Sequence, residues 1–309
     1  MIYFFKSFKN IFKHRFYAEE AAAEAPLCVM DDKVFKKMLS SDTEDSREAL
    51  RHLLSACTKR EITAVKVLNS ELLPAYIGGK SSVLDVRVSF NDGEEAAIEM
   101  QIEKSSDDLK NRAAQYASAL QFSQAKKGTR YKDIKRVYQI FFLNHILFPG
   151  SAKLPRRYGY REETEQDLLT EVSEIIFYEM PKLEQRVKDY ISGSVGIENL
   201  SDEEKWCIFF KYHHEQQVKP LIDELCKNEE GIMRAEKQVE KLPRSYLRFM
   251  TVEIDKFRAQ LDRMEMLRNA HKEGMEKGIA EGIEKGQNKV LDLLAEGLSI
   301  EEIKSRLSQ

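Results

Sequence analysis

Residues 83–102 read VLDVRVSFNDGEEAAIEMQI, and the fold depends on how this stretch pairs with itself. Leu84, Val86, Val88 and Phe90 alternate with Asp85, Arg87 and Ser89, the period of two that marks a strand. Ile98, Met100 and Ile102 alternate in the same way with Ala97, Glu99 and Gln101. Between the runs stands Asn91-Asp92-Gly93, three residues that tolerate the positive φ of a tight hairpin. Pairing of Phe90 with Glu94 around that turn sets Asp85 opposite Glu99, and a slip of one residue makes them diagonal neighbours. Facing side chains on paired strands lie about 4.5–5.5 Å apart at Cβ. Two carboxylates at that separation repel unless a cation lies between them. The arrangement reads either as a polar face in water or as the start of a metal site.

The chain is 309 residues long, enough for one large domain or two modest ones. Hydrophobic residues at 42% support a packed core, and charged residues at 33% imply a heavily charged surface. A net charge of −3 argues by itself against a nucleic-acid binder. The charge is uneven, however: residues 1–150 hold 23 Lys and Arg against 20 Asp and Glu, the remainder 26 against 32. A nucleic-acid surface is therefore expected in the first half. Cys28, Cys57, Cys207 and Cys226 show no CxxC and no His at ligand spacing, and read as reduced thiols of a cytoplasmic protein. No run of eighteen apolar residues occurs, so no transmembrane helix is expected. The opening MIYFFKSFKNIFKHRFY is basic and aromatic but lacks the apolar core of a secretory signal. It reads first as an N-terminal extension, with a membrane surface or nucleic acid as alternative contacts.

Residues 1–26 form this extension and a linker closed by Pro26. DDKVFKKMLSS begins a helix with Asp31 or Asp32 at its acidic end, and SDTEDSREALRHLLSACTKR supplies another, apolar at Leu50, Leu53, Leu54 and Cys57. After the hairpin, SSDDLKNRAAQYASALQFSQAKKG has Ser105 and Asp108 in capping-box spacing and stops at Gly128. RVYQIFFLN (136–144) and SEIIFYEM (173–180) are rich enough in aromatic and β-branched residues to be buried strands, the second stopped by Pro181. The order of elements predicts an α/β core over 27–185. A helical region follows over 186–268, with Trp206, Phe209 and Phe210 as core, and a tail over 269–309. In that tail Gly274, Gly278, Gly282 and Gly286 fall on one helical stripe, each costing about 1 kcal/mol against Ala. The stripe reads as a surface for self-association or as a charged linker.

Asp85, Glu99 and Gln101 are the one constellation that reads as a site. Oxygen ligands of this kind suit Mg2+ or Mn2+, which lower the pKa of bound water and neutralise charge on a phosphate oxygen. Gln101 shares the face of Glu99 and can orient a water, but it cannot serve as a charged base. A solvated polar face is the ordinary reading of acids on a hairpin. Here the acids sit on apparent core strands, where an unpaired charge is costly. KKGTRYKDIKR (126–136) offers Lys126, Lys127, Arg130 and Lys132 to backbone phosphates, against the ordinary reading of a solvated loop. His145, His213 and His214 show neither triad nor zinc spacing.

LDVRVSF…AAIEMQI resembles the D…ExQ form of the PD-(D/E)XK nuclease superfamily, and more narrowly the recombination-promoting nuclease and transposase family. DDKVFKKML is similar to that family's D-x-x-F-K segment, with Asp32, Phe35 and Lys36 in place. NRAAQYASAL…KKGTRYKDIKRVYQI resembles its R-x-x-x-Y helix, G-x-x-Y turn and strand, and SEIIFYEMPKL its E-L-P-K segment with Met180 for Leu. The similarity covers roughly residues 30–305 and is specific in combination. It implies a restriction-endonuclease-like core, a central mixed sheet flanked by helices, with a helical C-terminal region. It also implies a cytoplasmic, Mg2+-dependent DNA endonuclease (Mn2+ the alternative ion) associated with recombination or mobile elements. Asp85 and Glu99 would be the metal ligands, with Gln101 in the place of the superfamily's usual Lys. Asp32 and Glu48 are the candidates for an additional acid. Arg112 and Tyr116 either face the site or pack their helix on the sheet. The alternative from another class is a DNA- or protein-binding module that keeps the fold without turnover, and a third is a helical scaffold assembled through the tail.

Overall fold

The computed structural model describes residues 27–72, 82–103, 108–124 and 128–243, with parts of 274–307. The basic opening segment, Ser105, Lys126 and Lys127 lie outside the described residues. The chain divides into two units at residues 248 and 249.

The first unit opens with α1 (Asp32–Ser40), started by Asp31, whose carboxylate accepts the N–H groups of Lys33 and Val34. Thr43 does the same for α2 (Glu44–Thr58) through the Ser46 N–H, and Lys59 ends it with φ of 59°. Leu50, Leu53, Leu54 and Cys57 are buried on the expected face of α2. Among the described residues, eight strands follow in chain order: β1 (Val65–Val67), β2 (Glu71–Leu72), β3 (Ser82–Val83), β4 (Val86–Phe90), β5 (Glu94–Gln101), β6 (Val137–Leu143), β7 (Arg156–Arg161) and β8 (Leu168–Glu179). Six of them form one sheet in the order β1-β4-β5-β6-β8-β7, and β2 pairs with β3 apart from it. β5, β6 and β8 run parallel, while the outer neighbours are antiparallel. Every residue of β6 is buried, as a parallel strand covered on both faces requires.

The hairpin has the expected register, Phe90 with Glu94 and Val86 with Ile98. Asn91 (φ 44°) and Gly93 (φ 94°) supply the positive φ of its turn. The strand begins later than its alternation suggests, since Leu84 and Asp85 leave the ladder and the Leu84 N–H bonds Ser70 O instead. α3 (Leu109–Ser123) crosses from β5 to β6. Its N-cap is Asp108, which accepts the Lys110 and Asn111 N–H groups, and its last turn closes at Ser123, short of Gly128. Four strands go unannounced in the sequence: β1, the two-residue pair β2 and β3, and the exposed edge strand β7 (RRYGYR).

α3 covers one face of the sheet, where Leu109 and Ala113 pack on Phe141, Leu143 and Phe177. The other face carries the main core, which joins α1, α2 and the helices α4 (Glu184–Ile191), α5 (Asp202–Tyr212), α6 (Lys219–Asn228) and α7 (Glu230–Glu240). Phe142 stacks on Tyr178 at 4.9 Å and meets the edge of Phe210 at 4.9 Å, tying β6 to α5. Gly231 lets α7 lie close to α2, for a Cβ there would stand 2.3 Å from His52 Cβ. In the second unit, α8 (Ile300–Leu307) is the helix whose bounds are defined, and the four tail glycines sit at helical positions open to space. No helix of the described residues is long and apolar enough to cross a membrane.

Because Phe142 contacts both layers, Phe142→Ala should cost about 3–5 kcal/mol of unfolding free energy. Urea unfolding followed by fluorescence and by circular dichroism should show one transition moved to lower denaturant. Separate transitions would mean that α5 is not part of the same cooperative unit.

Candidate metal centre

The centre is built where the β4–β5 ladder ends. Beyond the Val86–Ile98 pair the chain bends at Asp85. The Asp85 N–H donates to Glu99 Oε1 at 3.0 Å, and the Met100 N–H donates to Asp85 Oδ2 at 2.9 Å. Each carboxylate therefore takes a backbone donor from the other's strand, and side chains stand in for the missing rung of the ladder. Glu99 is 3% exposed, and the Asp85 side chain 14%. Glu99 lies in the row of Phe141 and Phe177, on the face that α3 covers. Gln101, two residues on, shares that face and is half-buried. Its row continues through Leu143 to Glu179, at the carboxyl ends of three parallel strands. Ligands of parallel sheets bind at such ends.

A cation already lies on the pair. Lys36 of α1 places Nζ 3.1 Å from Asp85 Oδ1 and 2.8 Å from Asp32 Oδ1. Burial opposes its charge, but Asp32 and Asp85 outweigh that and hold the ammonium above its usual pKa. Desolvation raises the Asp85 carboxyl despite Lys36 and the Met100 N–H. Desolvation, reinforced by the neighbouring Asp85 charge, pushes Glu99 up to about 8, against the opposing pull of the Asp85 N–H and the Arg112 charge. Arg112 stands on α3, with Nε and Nη2 buried and without hydrogen-bond partners among the described residues. Tyr116, on the same helix, is half-buried against the apolar clusters around Leu120 and Phe141.

The two candidates for an additional acid separate. Asp32 is brought to Asp85 through the shared Lys36 ammonium. Glu48, on α2, is bound by Arg51 at 2.8 Å. With His52 and Glu230 it forms a group whose ligand atoms lie within 4.8 Å of one another, but Arg51 also contacts His52 Nε2 at 2.9 Å. The guanidinium thus engages two of the three, and Glu230 bonds Arg234 at 3.4 Å. The sequence marks Lys36 and Glu179 only through the D-x-x-F-K and E-L-P-K segments and does not place either at this end of the sheet. The i,i+4 spacing of Asp32 and Lys36 was the available signal for the first. Glu179 is fully buried, accepts the Leu147 and Phe148 N–H groups at 2.7 and 2.8 Å, and bonds Lys182, so it fixes the loop after β6.

The basic segment stands elsewhere. Arg136 O accepts the Glu95 N–H, so residues 128–136 lie at the amino end of β6. Five residues separate Arg136 from the Phe141 partner of Glu99, about 16 Å at the rise of a parallel strand. Arg130 is paired with Asp133 at 2.6 Å, and Lys132 is exposed without an ion pair among the described residues. The segment thus joins α3 to β6 at the end of the sheet opposite the carboxylates.

A mixed six-stranded sheet with helices on both faces is the α/β architecture of the PD-(D/E)XK nucleases. The family model described as PD-(D/E)XK nuclease family transposase matches residues 29–270, and the chain belongs to that family. No curated protein and no solved structure matches the chain. Membership brings a nuclease-like or transposase function and the divalent metals that such nucleases generally use.

The folded pKa of Glu99 exceeds its unfolded value, so the folded protein keeps a proton that the unfolded chain has lost. Metal-free stability should therefore fall as pH rises from about 4.5 to about 8, by an amount on the order of a few kcal/mol. Divalent-ion affinity should rise across the same window, because binding needs the ionised carboxylate. Urea titrations at pH 5 and pH 8.5 test this, with Glu99→Gln expected to remove most of the difference. An equal slope in that variant would place the titration elsewhere.

Proposed function

We propose that the chain is a metal-dependent DNA endonuclease that hydrolyses phosphodiester bonds, with Mg2+ as the ion and Mn2+ as a substitute. The observation that supports this reading is the convergence of Asp85 and Glu99 across the end of the β4–β5 ladder, at the carboxyl edge of the sheet. Their donor set is hard and anionic, which fits a hard divalent cation, and the lysine already on Asp85 marks the same need for positive charge. Bound there, the ion would supply a water of lowered pKa and neutralise charge on the scissile phosphate. Asp85 and Glu99 would hold it. Gln101 positions a water through its amide, which donates and accepts without carrying charge. Arg112 holds a guanidinium near Glu99 and favours its ionised form. Hydrolysis leaves DNA ends on which recombination or mobile-element movement can act.

Plasmid nicking tests the assignment. Asp85→Asn and Glu99→Gln keep a hydrogen-bond acceptor at each position, so both should stay folded while cleavage drops by at least about 100-fold. Gln101→Lys should retain activity and Gln101→Leu should lose most of it. Wild-type rates in both carboxylate variants would remove this pair from the chemistry. A folded wild type that cuts no DNA under any divalent ion would favour the binding-module reading.

DNA running from the carboxyl edge of the sheet to its amino edge would meet the segment of Arg130 and Lys132 at least about 16 Å from the cut, roughly five base pairs or more away. Arg130→Glu with Lys132→Glu should weaken binding across all sequences and flatten its salt dependence, with metal binding intact. An unchanged slope of affinity against salt would route the DNA over another face.

A further inference from the structure

The nuclease reading leaves the charge that builds on the scissile phosphate to the ion alone. Phosphodiester hydrolysis builds negative charge on the phosphate, and the neutral Gln101 amide cannot balance it. Among the described residues, Lys36 is the cationic side chain bonded to either carboxylate of the pair. We propose that Lys36 is a further catalytic residue, whose ammonium passes from Asp85 to a non-bridging oxygen of the scissile phosphate. The inference rests on the nuclease reading and adds a residue to it.

The placement supports the transfer at each step. α1 is fixed by its Asp31 cap and by Val34, Phe35, Met38 and Leu39 in the core, so the Lys36 backbone is anchored. The side chain is one-third exposed, which leaves the four-carbon stem free to change rotamer without moving the helix. Its three donors can serve several acceptors, and two are spent on Asp32 and Asp85 in the free protein. Once Asp85 is engaged by a divalent cation, Asp32 remains as the tether. The released donor would then face the phosphate that a cation held by those carboxylates draws in. Asp32 is on this account a positioning residue that keeps the ammonium at the edge of the site.

Arg112 is the competing source of charge, but its Nε and Nη2 donors are buried, and its charge acts on Glu99. Lys36, by contrast, sits at the open end of the pair and reaches the solvent from which a substrate arrives.

Three variants test the assignment: Lys36→Met, Lys36→Arg, and Lys36→Met combined with Gln101→Lys. Single-turnover cleavage of supercoiled plasmid in Mg2+ should slow by about 100- to 1,000-fold in Lys36→Met. It should fall less in Lys36→Arg. The double variant, which returns an ammonium to the same end of the sheet, should recover at least about tenfold. Calorimetric titration with Mg2+ should show affinity unchanged or tighter in Lys36→Met, because a competing cation has gone. Duplex binding in Ca2+, read as log affinity against log salt, should lose about one phosphate contact from its slope. Wild-type cleavage in Lys36→Met, an unchanged salt slope, or no recovery in the double variant would each overturn the inference while leaving the nuclease reading intact. Loss of cleavage matched by an equal loss of Mg2+ affinity would overturn it in favour of a role in shaping the carboxylates. A wild type that neither cuts nor binds DNA would remove both readings together.

Discussion

Two carboxylates buried side by side at the end of a strand pair are the constraint on which this molecule is organised. Desolvating either one is costly, and their mutual repulsion adds to the cost. The fold offsets this with three kinds of positive partner: backbone N–H groups donated across the strand gap, the Lys36 ammonium and the nearby Arg112 guanidinium. Each comes from a different element, so the hairpin, α1 and α3 must all be in place before the pair is tolerable. A site of this kind spends stability to hold charge where water is scarce. Such a cost fits the proposed receipt of a cation.

The hairpin is legible in the sequence because alternation fixes the buried face and Asn91-Asp92-Gly93 fixes the turn. Together they set the register that brings Asp85 to Glu99. The buried strands β6 and β8 are legible for a simpler reason, their aromatic and β-branched runs. β7 is not, since an exposed edge strand written RRYGYR buries too little to leave an alternating pattern. β1 is three residues long and falls below any periodicity. The part Lys36 plays at the pair is hidden as well. In sequence its spacing from Asp32 looks like a solvated helical ion pair, and the contact with Asp85 arises only when α1 docks beside the hairpin.

The other concentrations of charge are largely neutralised from within. Arg60 bonds Glu94, Arg136 bonds Glu171 and Glu174, and Arg157 bonds Glu174 and Cys57 O. The basic segment therefore presents less free positive charge than its composition suggests. Glu48 and His52 are likewise engaged by Arg51, and Glu230 by Arg234, where Gly231 brings their helices close enough to converge. The contrast with Asp85 and Glu99 is one of balance. There the acids outnumber the cation in contact with them, and the remaining demand for charge is left open.

The pairing scheme also orders the assembly of the site in time. Asp85 and Glu99 belong to a hairpin whose strands close over a three-residue turn, a step with little entropy to lose. The parallel partners of β5 and β6 lie roughly forty residues further along the chain, so those rungs form late and slowly. During that interval the acids are still hydrated and their repulsion is screened by water. The energetic conflict at the centre arises only when α3 and the later strands shut the solvent out, after the geometry has been set by the cheaper contacts.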